Sequence, residues 1–512
     1  MPDFDHVPLD ELAARLGGNL ADPEAAFAYG RAALDRFEEE AALPLLAEVA
    51  RAQPDNAVVW QLIGLLNRAL DRHGEAAAAL ATAAHLAPDD ASIAHGRARV
   101  ALEAGRPASA LFEWAGRLAP NDGEVLLGRA AARFAEGRTD LAIDGLDALL
   151  VQHPGWLPGH EQIARLRWMT GERGGFARSL ERAIATAPGD LSLWRALIIL
   201  LIHAEQMTEA LEVIERGRRF AGPDAAFDAN EATAASELGD HARADRLFDR
   251  MLEINDMTLV VRHVRHLLRT GRFDQAASRA QPFLTHPEAN LLWPYMATIW
   301  RLLGDPRADW LMGDPRLVGT IDLAAEIPDL PALAEHLRGL HLATHQHLDQ
   351  SVRSGTQTDG PLFSRDEPEI RALRAVIVEA VRAHAAQLPP EDRTHPVLGA
   401  ARPADVRFSG SWSVRLTDRG HHASHTHPMG WYSSALYVAL PASIGKGDPH
   451  AGWLSVGAPP PELNLALPPI RRIEPAPGRL ALFPSIMWHG TVPFEAGERL
   501  TVAFDVAPRL VS

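Results

Sequence analysis

Residues 87–121 read APDDASIAHGRARVALEAGRPASALFEWAGRLAPN, and they hold one whole structural unit. One apolar helical run has just ended at Ala87-Pro88-Asp89, and another ends at Ala119-Pro120-Asn121. Between them Gly105-Arg106-Pro107 interrupts the helical pattern. Proline has no N–H and a fixed φ, so it halts a helix, while glycine supplies the left-handed backbone of a tight turn. The unit therefore reads helix, glycine turn, helix, proline turn. It recurs: the turn prolines Pro54, Pro88, Pro120, Pro154, Pro188 and Pro223 lie 34, 32, 34, 34 and 35 residues apart. The midway break returns at Gly137, Gly171, Gly239 and Gly271.

This period, with Trp60-x-x-Ile63-Gly64 and alanine-rich contact positions, resembles the tetratricopeptide repeat over residues 20 to 305. The resemblance implies about eight helix pairs stacked into an all-α solenoid whose curved groove holds a partner chain. After Gly304-Asp305-Pro306 the period is lost. Residues 306–330 read as a connector, Leu333 to Leu348 as a helix, 350–360 as a polar glycine-broken loop, and Glu367 to Gln387 as a second helix. From Val406 the pattern switches to period two. Trp412, Val414 and Leu416 alternate with Ser413 and Arg415, Ser433–Leu440 is β-rich, Leu480–Phe483 follows the turn Pro477-Gly478, and Leu500, Val502, Phe504 and Val506 alternate with Arg499, Thr501, Ala503 and Asp505. Short strands with Gly and Pro turns indicate a sandwich or barrel. The expected organisation is α+β and multidomain: a solenoid over 1–305, a helical connector and loop over 306–404, and a β domain over 405–512.

The chain has 512 residues, 47% hydrophobic and 23% charged, which is ordinary for a globular protein of two or three domains. Its formal charge of −16 disfavours general nucleic-acid binding. With no cysteine, disulfides, thiolate metal sites and thiol nucleophiles are excluded. Met1–His6 is acidic, unlike the start of a signal peptide, and the longest apolar stretch, Leu197–Ile202, is too short to span a bilayer. The expectation is a cytoplasmic protein with no membrane partner; its oligomeric state is not readable.

The residues that carry chemistry lie in the β region. His425-Thr426-His427-Pro428 is followed, 64 residues after His425, by His489 in Trp488-His489-Gly490, and Arg499-Leu500-Thr501 comes ten residues later. Imidazole nitrogens suit Fe(II), and residues i and i+2 of an extended segment point the same way. No Asp or Glu lies between Arg419 and Asp448, so the usual carboxylate ligand is missing. Three arrangements follow: a three-histidine site, a site of His425 and His489 completed by water, or a shifted register with His427 first. Arg499 and Thr501 share one strand face, and a guanidinium with a hydroxyl suits the far carboxylate of a dicarboxylic co-substrate. Isolated histidines are more often structural, and His421 and His422 are assigned so. Tyr437 alternates with Ser433 and either points inward to the co-substrate or is a core tyrosine; Arg353 and Gln357 sit in a loop that either covers the site or is a solvated turn; Trp431 and Trp488 flank the ligands and shape the pocket.

Trp412-Ser413-Val414, His425-Thr426-His427-Pro428, Ser434-Ala435-Leu436-Tyr437-Val438 and Phe483-Pro484-Ser485-x-x-Trp488-His489-Gly490 resemble the 2-oxoglutarate/Fe(II) oxygenases found behind tetratricopeptide repeats in bacteria. A segment like Arg353-x-Gly355-Thr356-Gln357-Thr358 occurs there too. More distantly, the region is similar to aspartyl/asparaginyl β-hydroxylases, which have His-Thr-Gly-Pro at 425–428 and no carboxylate ligand. The resemblance implies a double-stranded β-helix, or jelly roll, with Fe(II) at His425 and His489; the i, i+2 spacing adds His427 as a third ligand, which the hydroxylases, with glycine there, do without. It implies 2-oxoglutarate at Arg499 and Ser413 and O2 as oxidant; strand alternation adds Thr501 and Tyr437 as co-substrate contacts. The hydroxylases carry a further arginine where this chain reads Ser433-Ser434-Ala435, so contacts to the keto acid end differ. The implied activity is hydroxylation of a protein or peptide docked by the repeats. The same chemistry on a small molecule, or a silent barrel serving as a scaffold, are the alternatives.

Overall fold

The computed structural model describes residues 7–400, 402 and 405–508; the reading of Met1–His6 falls outside them. The described residues divide into two compact units. One holds the chain up to Leu146 together with Asp359–Arg374, and the other holds Asp147–Thr358 together with the chain from Ala375 onward.

The first unit is a run of antiparallel helix pairs, among them Ala57–Ala69 with His73–Leu86 and Ala91–Glu103 with Ser109–Leu118. Each unit opens the same way. The carboxylate or amide of Asn56, Asp90 and Asp122 accepts hydrogen bonds from the first free N–H groups of the helix behind it. This cap satisfies donors that the helix itself leaves unpaired. The midway turn is made by a left-handed residue, Gly105 at φ 74° and Gly137 at φ 73°. Small residues do the packing: a Cβ on Gly64 would come within 2.6 Å of Leu80 Cγ.

In the second unit the helix pairs continue with the same caps, at Asp190, Asp224 and Asp256. Trp194, Leu197, Ile198 and Phe227 are wholly buried among them. Among the described residues three midway turns lack glycine, two in the first unit and one in the second: Phe37, Asp71 and Glu205 adopt φ 59°, 56° and 59°. The period at those turns is therefore kept by the backbone and not by residue type. Among the described residues no helix is long and apolar enough to cross a membrane.

Among its described residues the second unit also contains nine strands: β1 (Gly319–Asp322), β2 (Val352–Gln357), β3 (Phe408–His422), β4 (Tyr432–Ala439), β5 (Leu454–Val456), β6 (Arg471–Ile473), β7 (Arg479–Pro484), β8 (His489–Thr491) and β9 (Glu498–Val506). They form two antiparallel sheets, ordered β1-β7-β4-β9-β3-β2 and β6-β5-β8. The central strand β9 sets Arg499 opposite Leu416 and Thr501 opposite both Val414 and Tyr437.

Three readings of residues 306–404 need correction. The connector contributes β1, four residues paired with β7, too short for its alternation to be legible. The polar loop at 350–360 is largely β2, paired with β3 across a bulge at Arg353/Gly355. Gly355 suggested a break, but it is there because a Cβ would meet Arg415 O at 2.5 Å. The helix expected to reach Leu348 stops at Gly339. Beyond it the Thr344 and His345 N–H groups bond Met169 O, a partner 175 residues away for Thr344, so the helix is not continued.

Candidate metal centre

Beyond β3 the chain crosses to β8. His425 and His489 exchange both backbone hydrogen bonds at 3.0 Å, an isolated antiparallel bridge. The His427 N–H donates to Ser485 O. These bonds bring three rings together, with centroids 4.2 Å (425–489), 4.9 Å (425–427) and 5.0 Å (427–489) apart. One ligand nitrogen from each lies within 4.8 Å of the others.

Each ring has its Nδ1 on an acceptor: His425 on Ala423 O at 2.8 Å, His489 on Met487 O at 3.0 Å, and His427 on the Asp505 carboxylate at 2.7 and 2.8 Å. A carbonyl or carboxylate can only accept, so the proton sits on Nδ1 and Nε2 keeps its lone pair. Burial, and then the neighbouring His427 ring, pushes His425 down to about 3. Burial pushes His489 well below the ordinary histidine value. Neutral imidazoles with fixed tautomers are what a divalent metal requires, and carboxylate or carbonyl partners behind them are the usual orienting groups. The set fits Fe(II).

Arg499 and Thr501 line the same pocket, as do Trp412, Phe483 and Ala503. Arg499 is 1% exposed, and its Nε has no hydrogen-bond partner among the described residues. Its guanidinium lies 4.9 Å from the Tyr437 ring, and no carboxylate pairs with it among the described residues. A buried cation without an anion is costly, so this one fits an anionic ligand. The free space is about 40 Å3.

Two expected contacts are arranged differently. Ser413 is wholly buried but outside the pocket lining; its Oγ donates to Thr501 O at 3.1 Å and lies 3.1 Å from His341 Nε2. Tyr437 lies against Arg499 and not on the pocket surface. The two tryptophans read as pocket-shaping are anchors instead. Trp488 Nε1 donates to Pro294 O and Thr298 Oγ1, and Trp431 Nε1 donates to Val397 O. Gln357 lines the pocket, while Arg353 pairs with Glu205.

Other residues were missed. His422, assigned a structural role, lines the pocket with its Nδ1 3.0 Å from Ser351 Oγ; the same hydroxyl lies 3.2 Å from His425 Nε2. Asp505 is 8% exposed and also accepts from Ser433 Oγ at 2.6 Å, with Ser485 Oγ 2.9 Å beyond. Its signal was present, since the alternation that placed Arg499 and Thr501 inward places Asp505 inward too. What could not be read was its partner, 78 residues away.

Residues 410–505 match a family described as "Putative 2OG-Fe(II) oxygenase". No curated protein matches the chain. Solved structures similar to it include a tetratricopeptide repeat protein from Parabacteroides merdae (18% identity, covering 49% of this chain and 94% of that one, TM-score 0.29). Others are YrrB, a tetratricopeptide repeat protein with an unusual peptide-binding site (19%, 39% and 100%, 0.30), and PilW, a type IV pilus biogenesis factor (15%, 47% and 98%, 0.28).

Proposed function

We propose that this protein is an Fe(II)- and 2-oxoglutarate-dependent oxygenase that hydroxylates a protein or peptide held by its repeats. The reading takes 1–305 as the docking solenoid, 306–404 as the connecting segment and 405–512 as a double-stranded β-helix acting in the cytoplasm. One observation carries it: three clustered imidazoles, each with Nδ1 on a backbone or carboxylate oxygen, share a pocket with a buried arginine that has no acid partner among the described residues.

When bound, Fe(II) with 2-oxoglutarate and O2 supplies the oxidising power for C–H hydroxylation, with succinate and CO2 as co-products. His425, His427 and His489 would hold the metal through Nε2. The missing carboxylate ligand supports a three-histidine set over one completed by water, because Asp505 orients His427 as strictly as the carbonyls orient the other two. Arg499 would take the far carboxylate in a charge-assisted pair, with Thr501 adding a hydroxyl contact. Tyr437 supports Arg499 from the side, and Ser413 holds the Thr501 backbone. Phe483 and Trp412 keep water from the reacting face.

The test is an anaerobic titration with Fe(II) and then 2-oxoglutarate, followed by assay of succinate on adding oxygen and candidate protein substrates. Iron and diacid binding with substrate-stimulated succinate supports the reading. Stimulation by a small metabolite but by no protein would move the substrate to the small-molecule class. Absence of metal binding would leave a scaffold.

A further inference from the structure

A second cavity, of about 680 Å3, lies in the second unit on the other side of β2 and β3 from the metal pocket. Its lining includes Arg173, Arg353, Arg415, His341 and His345, and it contains no aspartate or glutamate. In a chain with 66 acidic and 50 basic residues, a cavity of this size with three arginines and no acid is a local reversal of the protein's charge.

The arginines are not fully consumed by neighbours. Arg173 hydrogen-bonds Gln346 at 3.0 Å and lies 5.0 Å from the Trp168 ring, with no acidic partner among the described residues. Arg415 pairs with Glu498, a carboxylate that also takes Arg338, which has a second acid in Glu335. Arg353 is paired, but with Glu205, whose side chain is 69% exposed and so can yield its place. The wall also carries hydroxyls, Thr344 and Thr356 among them, which can bond an incoming oxygen.

We propose that this cavity binds an acidic peptide segment, and that the protein substrate of the neighbouring site carries such a segment. The size is that of a ligand site rather than a packing defect. A single phosphate is a poor match for the arginines. Arg353 faces His421, and Arg415 faces Thr356, so the two strand positions are on the order of 10 Å apart along the sheet. Glutamates or aspartates spaced along a peptide can meet both. A nucleic acid is disfavoured because no Phe, Tyr or Trp lines the cavity to stack a base. The identification of this segment as part of the substrate rests on the oxygenase reading; the binding itself does not.

The experiment is fluorescence anisotropy with the full-length protein, without iron, using labelled oligoglutamate and a matched oligoglutamine. Arg173→Glu is the variant, because Arg173 is solvent-facing, caps no helix and touches neither the metal ligands nor Arg499. We expect oligoglutamate to bind, oligoglutamine not to, and affinity to fall as salt rises. Arg173→Glu should weaken binding roughly tenfold, and Arg173→Lys should retain most of it. Equal binding by the wild type and Arg173→Glu, or equal binding of the two peptides, overturns the proposal. So does tight calorimetric binding of pyrophosphate with no binding of oligoglutamate, which would mark a small-anion site. Because the readout needs no metal, a protein that binds the peptide but no iron refutes only the oxygenase reading. One that binds iron but no peptide refutes only this inference.

Discussion

The repeats and the sheets are built from contacts of different range. In the repeats the leading helix of most pairs is capped from two or three residues away, as when Asp90 accepts from Ser92 N and Ile93 N, and each unit is stated again about 34 residues later. In the sheets the decisive pairs are single and distant: His425 with His489, His427 with Asp505, and Arg499 beside Tyr437. A repeat array is close to one-dimensional, so damage to one unit stays near that unit. The metal pocket has no second copy of anything. Substitutions of similar chemical size should therefore have very different consequences in the two regions.

His489→Ala tests the contrast at its extreme. It removes the only imidazole that comes from β8 and should abolish Fe(II) binding, while circular dichroism still reports folded helices. The loss should exceed the ~10–100-fold expected from removing an orienting partner. Near-native iron affinity in this variant would sink the metal assignment.

Arg499→Ala comes next. It should leave iron in place and weaken 2-oxoglutarate binding by about 2–5 kcal/mol, the range for truncating a buried charged partner. Because a buried unpaired cation is removed, the apo protein should also be no less stable, and it could melt higher. Unchanged 2-oxoglutarate affinity would mean the diacid is held elsewhere.

Asp505→Asn asks whether the orienting layer matters. Asparagine can still accept from His427 Nδ1 through its oxygen but carries no charge, and Ser433 can still donate to it. Iron affinity should fall by ~10–100-fold, visible also as a changed Co(II) absorption band in the substituted protein. An affinity within twofold of wild type, about the precision of such a titration, would reduce Asp505 to a packing role.

The same difference in range explains what was legible in the sequence. The solenoid could be read because its signal is local and repeated. The three histidines and Arg499 could be read because their types and spacing are unusual together, but not their setting. His422 looked like a bystander, since a β3 residue joins the pocket only once β2 brings Ser351 alongside. Gly355 read as a loop residue although it permits close strand pairing. The role of Trp488 was hidden as well. Its ring is held by Pro294 and Thr298, on the helix Trp293–Leu303, so a fragment beginning at residue 306 would lose that support.

Phe37→Gly is the smallest and most local test, and it should run in the opposite direction. The midway turns at Gly105 and Gly137 use glycine for a left-handed residue, but the first such turn uses Phe37 at φ 59°. That conformation costs an L-residue about 1–2 kcal/mol through the clash of Cβ with its own backbone. Glycine removes the clash but gives back roughly 0.5–1 kcal/mol through the larger freedom of the unfolded chain. Phe37 is 57% exposed, so little burial is lost with its side chain. The net expectation is a gain of up to about 1 kcal/mol, confined to the first helix pairs. Hydrogen exchange should show slower opening around the helices Pro23–Asp35 and Glu39–Ala52, with iron affinity unchanged. If exchange there accelerates instead, the phenyl ring contributes more than its exposure suggests. If iron affinity moves with it, the repeats and the sheets are energetically coupled and the contrast drawn between them fails.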